Sequence, residues 1–133
     1  MILTDGLKPK ENTMGLDTIA YKEFIDGEHI DADNEWFSGT EELCRGVVSE
    51  NLAWIRGKVY AKIVEDLSGI SLYSESLSNE TVHKIASSIE NYLEDPLKRS
   101  DLFRGNINTK ELRLLGKWFR VAADKGCYLH GWW

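Results

Sequence analysis

Residues 16–25 divide into two sets at alternate positions, and β-branched and aromatic side chains are frequent among them. One set is Leu16, Thr18, Ala20, Lys22 and Phe24, and the other is Asp17, Ile19, Tyr21, Glu23 and Ile25. This period of two predicts a β-strand. Asp26-Gly27 follows directly, and an Asp-Gly pair readily adopts the positive φ angles of a tight hairpin turn. We therefore expect a second strand at residues 28–32 that forms a hairpin with the first.

The first helical pattern has apolar residues at three- and four-residue steps from Leu52 to Leu67. Ser49 is placed to cap the N-terminus of this helix, and Gly69 its C-terminus. Gly57 lies inside the pattern, where it weakens a helix by about 1 kcal/mol relative to Ala. It therefore indicates either close packing or a local break.

Two further helices are predicted by the same spacing. Ser78 opens one of them, and Asp95-Pro96 closes it because a residue before proline avoids helical geometry. Asn108 or Thr109 opens the other, which stops near Gly126. Residues 96–108 between them are interpreted as an exposed basic loop.

Two adjacent indoles, Trp132 and Trp133, stand at the end of residues 127–133. Each indole carries roughly 150–250 Å² of largely apolar surface, so we expect either a final strand that docks beside the hairpin and covers them or an aromatic binding surface. The elements together predict an α+β fold in which three helices pack on a small antiparallel sheet. Residues 1–13 are interpreted as a flexible leader, with Met14 as an alternative start, and residues 14–133 as one globular domain.

Negative charge is concentrated in the hairpin and in the segment after it. Residues 23–42 contain eight carboxylates and no Lys or Arg, and residues 1–42 carry a formal charge of −8 against +2 for residues 43–133. A dense surface of one sign raises the encounter rate with an oppositely charged partner. The acidic block therefore predicts a site for a basic protein surface. The predicted partner-binding residues are the carboxylates Glu28, Asp31, Asp33, Glu35, Glu41 and Glu42 with the apolar anchors Trp36 and Phe37.

This interpretation predicts a non-enzymatic binding protein, of the inhibitor or immunity type, that blocks a basic site on a partner macromolecule. A basic stripe on the third helix supports an alternative, a protein that binds a small anionic ligand such as a nucleotide signal, because a guanidinium beside an indole can pair with phosphate and stack on a base. The same stripe also fits a solvated helix face or internal pairing with the acidic block. The alternative ligand-binding residues are Arg113, Lys117, Trp118, Arg120, Trp132 and Trp133, with Lys110 on the same helix side.

Metal-binding patterns in the sequence are incomplete. Four carboxylates from Asp31 to Glu42 match part of a calcium-loop register, but Trp36 stands where that loop requires glycine. Cys127-x-x-His130 has the spacing of half a zinc site and lacks a second close pair. We expect no metal ion and no cofactor.

Catalytic patterns are equally sparse. His29, His83 and His130 lie in three separate segments, and no glycine-rich phosphate loop or serine nucleophile motif occurs. Cys44 and His130 remain candidates for a pair that meets only in space, whereas the apolar neighbours of Cys44 favour a buried structural thiol. We therefore expect no enzymatic activity.

Composition narrows the class of protein. A net charge of −6 disfavours a general nucleic-acid binder, which depends on neutralising phosphates. No apolar run approaches the roughly 20 residues that span a bilayer, and two cysteines far apart in sequence give no disulfide framework. We expect a cytoplasmic protein without membrane association, and the sequence leaves its oligomeric state open.

Three short motifs resemble those of small uncharacterised proteins of bacteria and their phages. They are Met14-Gly15-Leu16-Asp17, Arg56-Gly57-Lys58-Val59-Tyr60 and Gly131-Trp132-Trp133, and the resemblance covers most of residues 14–133. The group has no assigned activity, so the resemblance implies a bacterial or phage source rather than a mechanism. Small proteins of this kind often bind and block another macromolecule, which by analogy supports the inhibitor interpretation.

Overall fold

The computed structural model describes residues 15–45, 51–95 and 107–133 and confirms the α+β fold. The predicted leader, the start at Met14, the cap at Ser49 and most of the predicted basic loop lie outside these residues. The elements in chain order are β1 (Asp17–Ile25), β2 (Glu28–Asp31), 3₁₀ helices at Asn34–Phe37 and Glu41–Cys44, β3 (Trp54–Ile55), α1 (Gly57–Ser68), α2 (Asn79–Leu93), α3 (Thr109–Asp124) and β4 (Tyr128–Trp132).

Strand β1 is the centre of an antiparallel sheet and pairs with β2, β3 and β4. Along one edge, β4 runs from the Asp17–Trp132 pair to the Tyr21–Tyr128 pair. Strands β2 and β3 share the opposite edge of β1. They meet at Ala20, whose N–H donates to the Ala53 carbonyl next to β3 and whose carbonyl accepts from the Ala32 N–H next to β2. The predicted hairpin and the predicted final strand are therefore both present.

A β-bulge at Lys22 changes the direction of the hairpin side chains. Tyr21 pairs with Asp31 and Glu23 with Ile30, so Lys22 is an extra residue in β1. Beyond the bulge Phe24 pairs with His29. Phe24 therefore lies on the same sheet face as Tyr21, whereas strict alternation would place them on opposite faces.

The helices cover one face of the sheet. Ala20, Ile55 and Leu129 point into the core on this face and are fully buried. Helix ends follow local capping, since the Ser78 side chain accepts from the Thr81 N–H at the start of α2. Residues at alternate positions of the strands form the opposite face, which is described with the candidate site.

Helix α1 begins at Gly57, so the predicted helical start near Ser49 is wrong for residues 51–56, which form a turn and β3. Gly57 is required by close packing rather than acting as a break. A Cβ there would collide with the Thr18 hydroxyl and lie 2.9 Å from Leu16 Cγ. At its other end α1 is capped by Gly69 with φ of 78°, as predicted.

Candidate functional site: the acidic hairpin and the open sheet face

Half of the predicted acidic block is engaged within the protein. Lys22 Nζ donates to Asp33 Oδ1 at 2.7 Å, and Trp54 Nε1 donates to Asp31 Oδ2 at 2.9 Å. The Gly39 N–H donates to a Glu41 carboxylate oxygen at 3.1 Å, and backbone hydrogen bonds hold the pKa of Glu41 below its usual value. Glu42 Oε2 lies 4.0 Å from Arg45 Nη2. These four carboxylates are therefore partly compensated.

The other half of the block is exposed. Its four carboxylates form no ion pair within the parts of the chain that the structure describes. They are Glu23, Asp26, Glu28 and Glu35. Glu23, Asp26 and Glu28 surround the hairpin turn, where Asp26 and Gly27 both have positive φ. Three of these four carboxylates, which form no ion pair with the described residues, thus lie in the hairpin tip, residues 23–28, and only Glu28 of them belongs to the predicted site.

Two large apolar side chains stand exposed at this tip. Phe24 is 58% exposed and Ile25 is 46% exposed. Both lie directly between the carboxylates of Glu23 and Asp26 in sequence. Sequence reasoning missed them because it used residues 16–25 only to predict a strand and looked for apolar anchors at Trp36 and Phe37. The position of Ile25 next to the turn is the signal that could have revealed them.

The two predicted apolar anchors are placed differently. Phe37 is fully buried and packs on Trp118 with ring centres 5.2 Å apart, so its assignment as an exposed anchor is wrong. Trp36 is partly buried and lies near two ammonium groups, with Lys125 Nζ 5.0 Å and Lys22 Nζ 5.8 Å from the ring centre. The segment after the hairpin therefore already carries its own cations.

An aromatic cluster occupies the sheet face opposite the helices. Tyr21 stacks on His29 at 4.7 Å between ring centres, and His29 also lies 4.9 Å from Phe24. His29 Nδ1 and the Tyr128 hydroxyl share a hydrogen bond of 2.6 Å, and the His130 ring lies 5.5 Å from His29. The two histidines thus belong to one cluster, while His83 lies on α2 beside Arg120.

A cleft lies at the other end of this face. Trp132 is 58% exposed and contacts Trp54 edge-to-face at 5.9 Å. The final strand therefore docks on β1, but of the two alternatives for the terminal indoles, covering does not apply to Trp132. Trp133 is partly buried and contacts Tyr73 edge-to-face at 5.4 Å. The cleft has a volume of about 230 Å³. Its lining residues are Gly15, Leu16, Asp17, Trp132 and Trp133.

The alternative ligand-binding residues are not assembled into one site. Trp118 is fully buried, and its Nε1 donates to the Leu52 carbonyl at 2.9 Å. Arg120 Nε and Nη2 each donate to Glu90 at 2.9 Å, on the α2 side of α3. Lys117 Nζ donates to the Ser38 carbonyl at 3.1 Å. Arg113 is exposed on α3, whereas the terminal indoles lie on the sheet.

The thiols have the environment of structural cysteines. Cys44 Sγ donates to the Leu52 carbonyl at 3.7 Å, and burial raises the pKa of its thiol to about 11. Burial likewise raises the pKa of Cys127 to about 11. Among the described residues, no three His, Cys, Asp or Glu side chains are grouped closely enough to hold a metal ion.

Comparisons of this chain with protein-family models, with curated proteins and with solved structures gave no match. None of the helices within residues 15–45, 51–95 and 107–133 is long and apolar enough to cross a bilayer.

Proposed function

We propose that this chain is a non-enzymatic binding protein that docks its hairpin tip on a basic site of a partner macromolecule and blocks that site, in the manner of an inhibitor or immunity protein. The observation that carries the proposal is the composition of the tip. Three carboxylates without ion pairs in the described residues surround two exposed apolar side chains, Phe24 and Ile25.

The two kinds of side chain have different roles in binding. Unpaired carboxylates attract a basic surface over a distance and raise the association rate. Apolar side chains that become buried on contact hold the complex together and lower the dissociation rate. Paired carboxylates such as Asp33 have less to contribute, because Lys22 already neutralises that charge.

The test begins by capturing the partner from lysate of the source cells on immobilised protein and then measures association rates at several salt concentrations. In the tip variant, Glu23→Gln with Glu28→Gln, association should slow about tenfold at low salt and depend less on salt. The matched control is Glu65→Gln with Glu94→Gln, which removes the same charge from an exposed position of α1 and from the exposed C-cap of α2. It should bind as the wild type does.

A second variant tests the apolar contacts. Phe24→Ala with Ile25→Ala should raise the dissociation rate and leave the salt dependence of association unchanged. The proposal would be refuted if the tip variant and the control variant associate with the captured partner at equal rates at every salt concentration.

The small-ligand alternative has less support. Its basic residues point to different neighbours, and its indole Trp118 is buried in the core. The terminal indoles lie beside Asp17, whose negative charge opposes a phosphate.

A further inference from the structure

The cleft at the start of β1 contains the carboxylate of Asp17. Asp17 lines this cleft, and its carboxylate forms no hydrogen bond or ion pair within the described residues. Burial raises the pKa of Asp17 above its usual value. A partly desolvated carboxylate gains stability when a cation approaches, because the cation replaces the lost hydration.

The indole walls of this cleft are fixed in position by contacts behind them. Trp132 packs edge-to-face against Trp54, whose Nε1 is held by Asp31 at 2.9 Å. Behind Trp133, the Gly131 N–H donates to the Ser74 carbonyl at 2.9 Å. A Cβ at Gly131 would lie 2.7 Å from that oxygen, so only glycine permits this approach. The cleft is therefore formed before any ligand arrives.

We infer that this cleft binds one arginine side chain of a protein partner. The guanidinium would pair with the Asp17 carboxylate and lie against the indole of Trp132, and both interactions favour a planar cation. This inference rests on the proposed function, because the arginine belongs to the same basic partner. It adds a second contact at the end of β1 opposite the hairpin tip.

Charge on the surrounding surface supports a cation rather than a nucleic acid or a neutral sugar. Among the described residues, the cation–ring contacts involve Trp36 and Tyr60, and no lysine or arginine of these residues lies on Trp54 or Trp132. Asp17 would repel a phosphate, and a neutral sugar would leave its charge uncompensated.

The experiment uses a capped peptide with two arginines spaced by glycine, together with a matched peptide in which citrulline replaces each arginine. Binding to the full chain is followed by NMR through the indole N–H signals of Trp132 and Trp133. The arginine peptide should shift both signals and should bind about tenfold more tightly than the citrulline peptide, as expected for an ion pair added to a ring contact.

Asp17→Asn should weaken binding of the arginine peptide about tenfold and leave that of the citrulline peptide unchanged. Trp132→Leu should weaken binding of both peptides. Glu65→Gln, at an exposed position of α1, is the control and should have no effect. Equal binding of the two peptides, or no effect of Asp17→Asn on the arginine peptide, would overturn the inference.

Failure of this inference is distinguishable from failure of the proposed function. The Glu23→Gln, Glu28→Gln variant changes association with the captured partner and leaves the peptide titration as in the wild type. If Asp17→Asn has no effect while the tip variant slows association, the partner binds through the tip alone. If the peptide result holds and the tip variant has no effect, the cleft is a binding site and the docking role of the hairpin is refuted.

Discussion

At the scale of single residues, glycines set how closely segments approach. Gly57 allows the first turn of α1 to lie against Leu16 and Thr18 of the N-terminal strand region. The low helix propensity of glycine can be inferred from the sequence alone. The close approach that Gly57 permits involves residues about forty positions earlier in the chain. The sequence therefore indicated that Gly57 had a structural reason without showing which one.

Gly57→Ala should lower the free energy of unfolding by about 1–3 kcal/mol, because overpacking against Thr18 outweighs the better helix propensity of alanine. Urea unfolding measures the difference. Gly15→Ala is the control, since a Cβ at Gly15 has no heavy atom within 4 Å and should cost little. Equal stability of the two variants would contradict the packing argument.

The buried thiols give a pH dependence that can be predicted with its sign. Burial raises the pKa of Cys127 from 9.0 to about 11. The unfolded chain ionises this thiol at lower pH than the folded chain, so its contribution to stability is fully present below pH 9 and is lost as pH rises towards 11. From pH 8 to pH 10 the wild type should lose about 1 kcal/mol more than Cys127→Ala in urea unfolding. An identical pH dependence would show that burial does not shift this thiol.

At the scale of elements, local signals were sufficient for the starts of α2 and α3 and insufficient for the strands and for the start of α1. The caps at Ser78 and Asn108 each accept an N–H three residues later, which depends only on nearby sequence. The bulge at Lys22 depends on the partner strand β2, so alternation alone assigned Phe24 to the wrong face. The start of α1 was predicted too early for the same reason. Residues 54–55 form a strand because they pair with β1, and this partner is not visible in the local sequence.

A buried polar network connects two helices. Arg56 Nη2 donates to Glu111 Oε2 at 3.1 Å and to the Tyr60 hydroxyl at 2.7 Å, and that hydroxyl donates to Glu111. Glu111 is only 8% exposed, and burial raises the pKa of Tyr60. The network therefore fixes the start of α1 against the first turn of α3.

Glu111→Gln should destabilise the protein by about 2 kcal/mol in urea unfolding, because it leaves the Arg56 charge poorly compensated in a partly buried place. Arg56→Met combined with Glu111→Met should cost less than the single change, since both charges are then absent. Asp66→Asn, at the exposed Lys62–Asp66 pair, is the control and should cost below about 0.5 kcal/mol. If Glu111→Gln lowers the free energy of unfolding no more than the double variant does, the proposed role of the network is contradicted.

At the scale of the whole molecule, the sequence indicated the sign and position of the surface charge but not its compensation. Residues 23–42 carry the carboxylates as counted, yet Lys22, Arg45 and the Trp54 indole engage three of them. These partners are known only once the chain is folded. The open sheet face was missed for the same reason, since Tyr21, His29 and Tyr128 come from three strands.

The pairing of β1 with β4 joins Asp17 to Trp132, positions separated by most of the chain. Contacts of such long range return no stabilisation until a very large loop has closed, which slows folding relative to helical proteins of similar size. Both walls of the cleft beside Asp17 depend on this closure. A partly folded molecule could thus present the acidic hairpin, a local structure, well before the cleft exists.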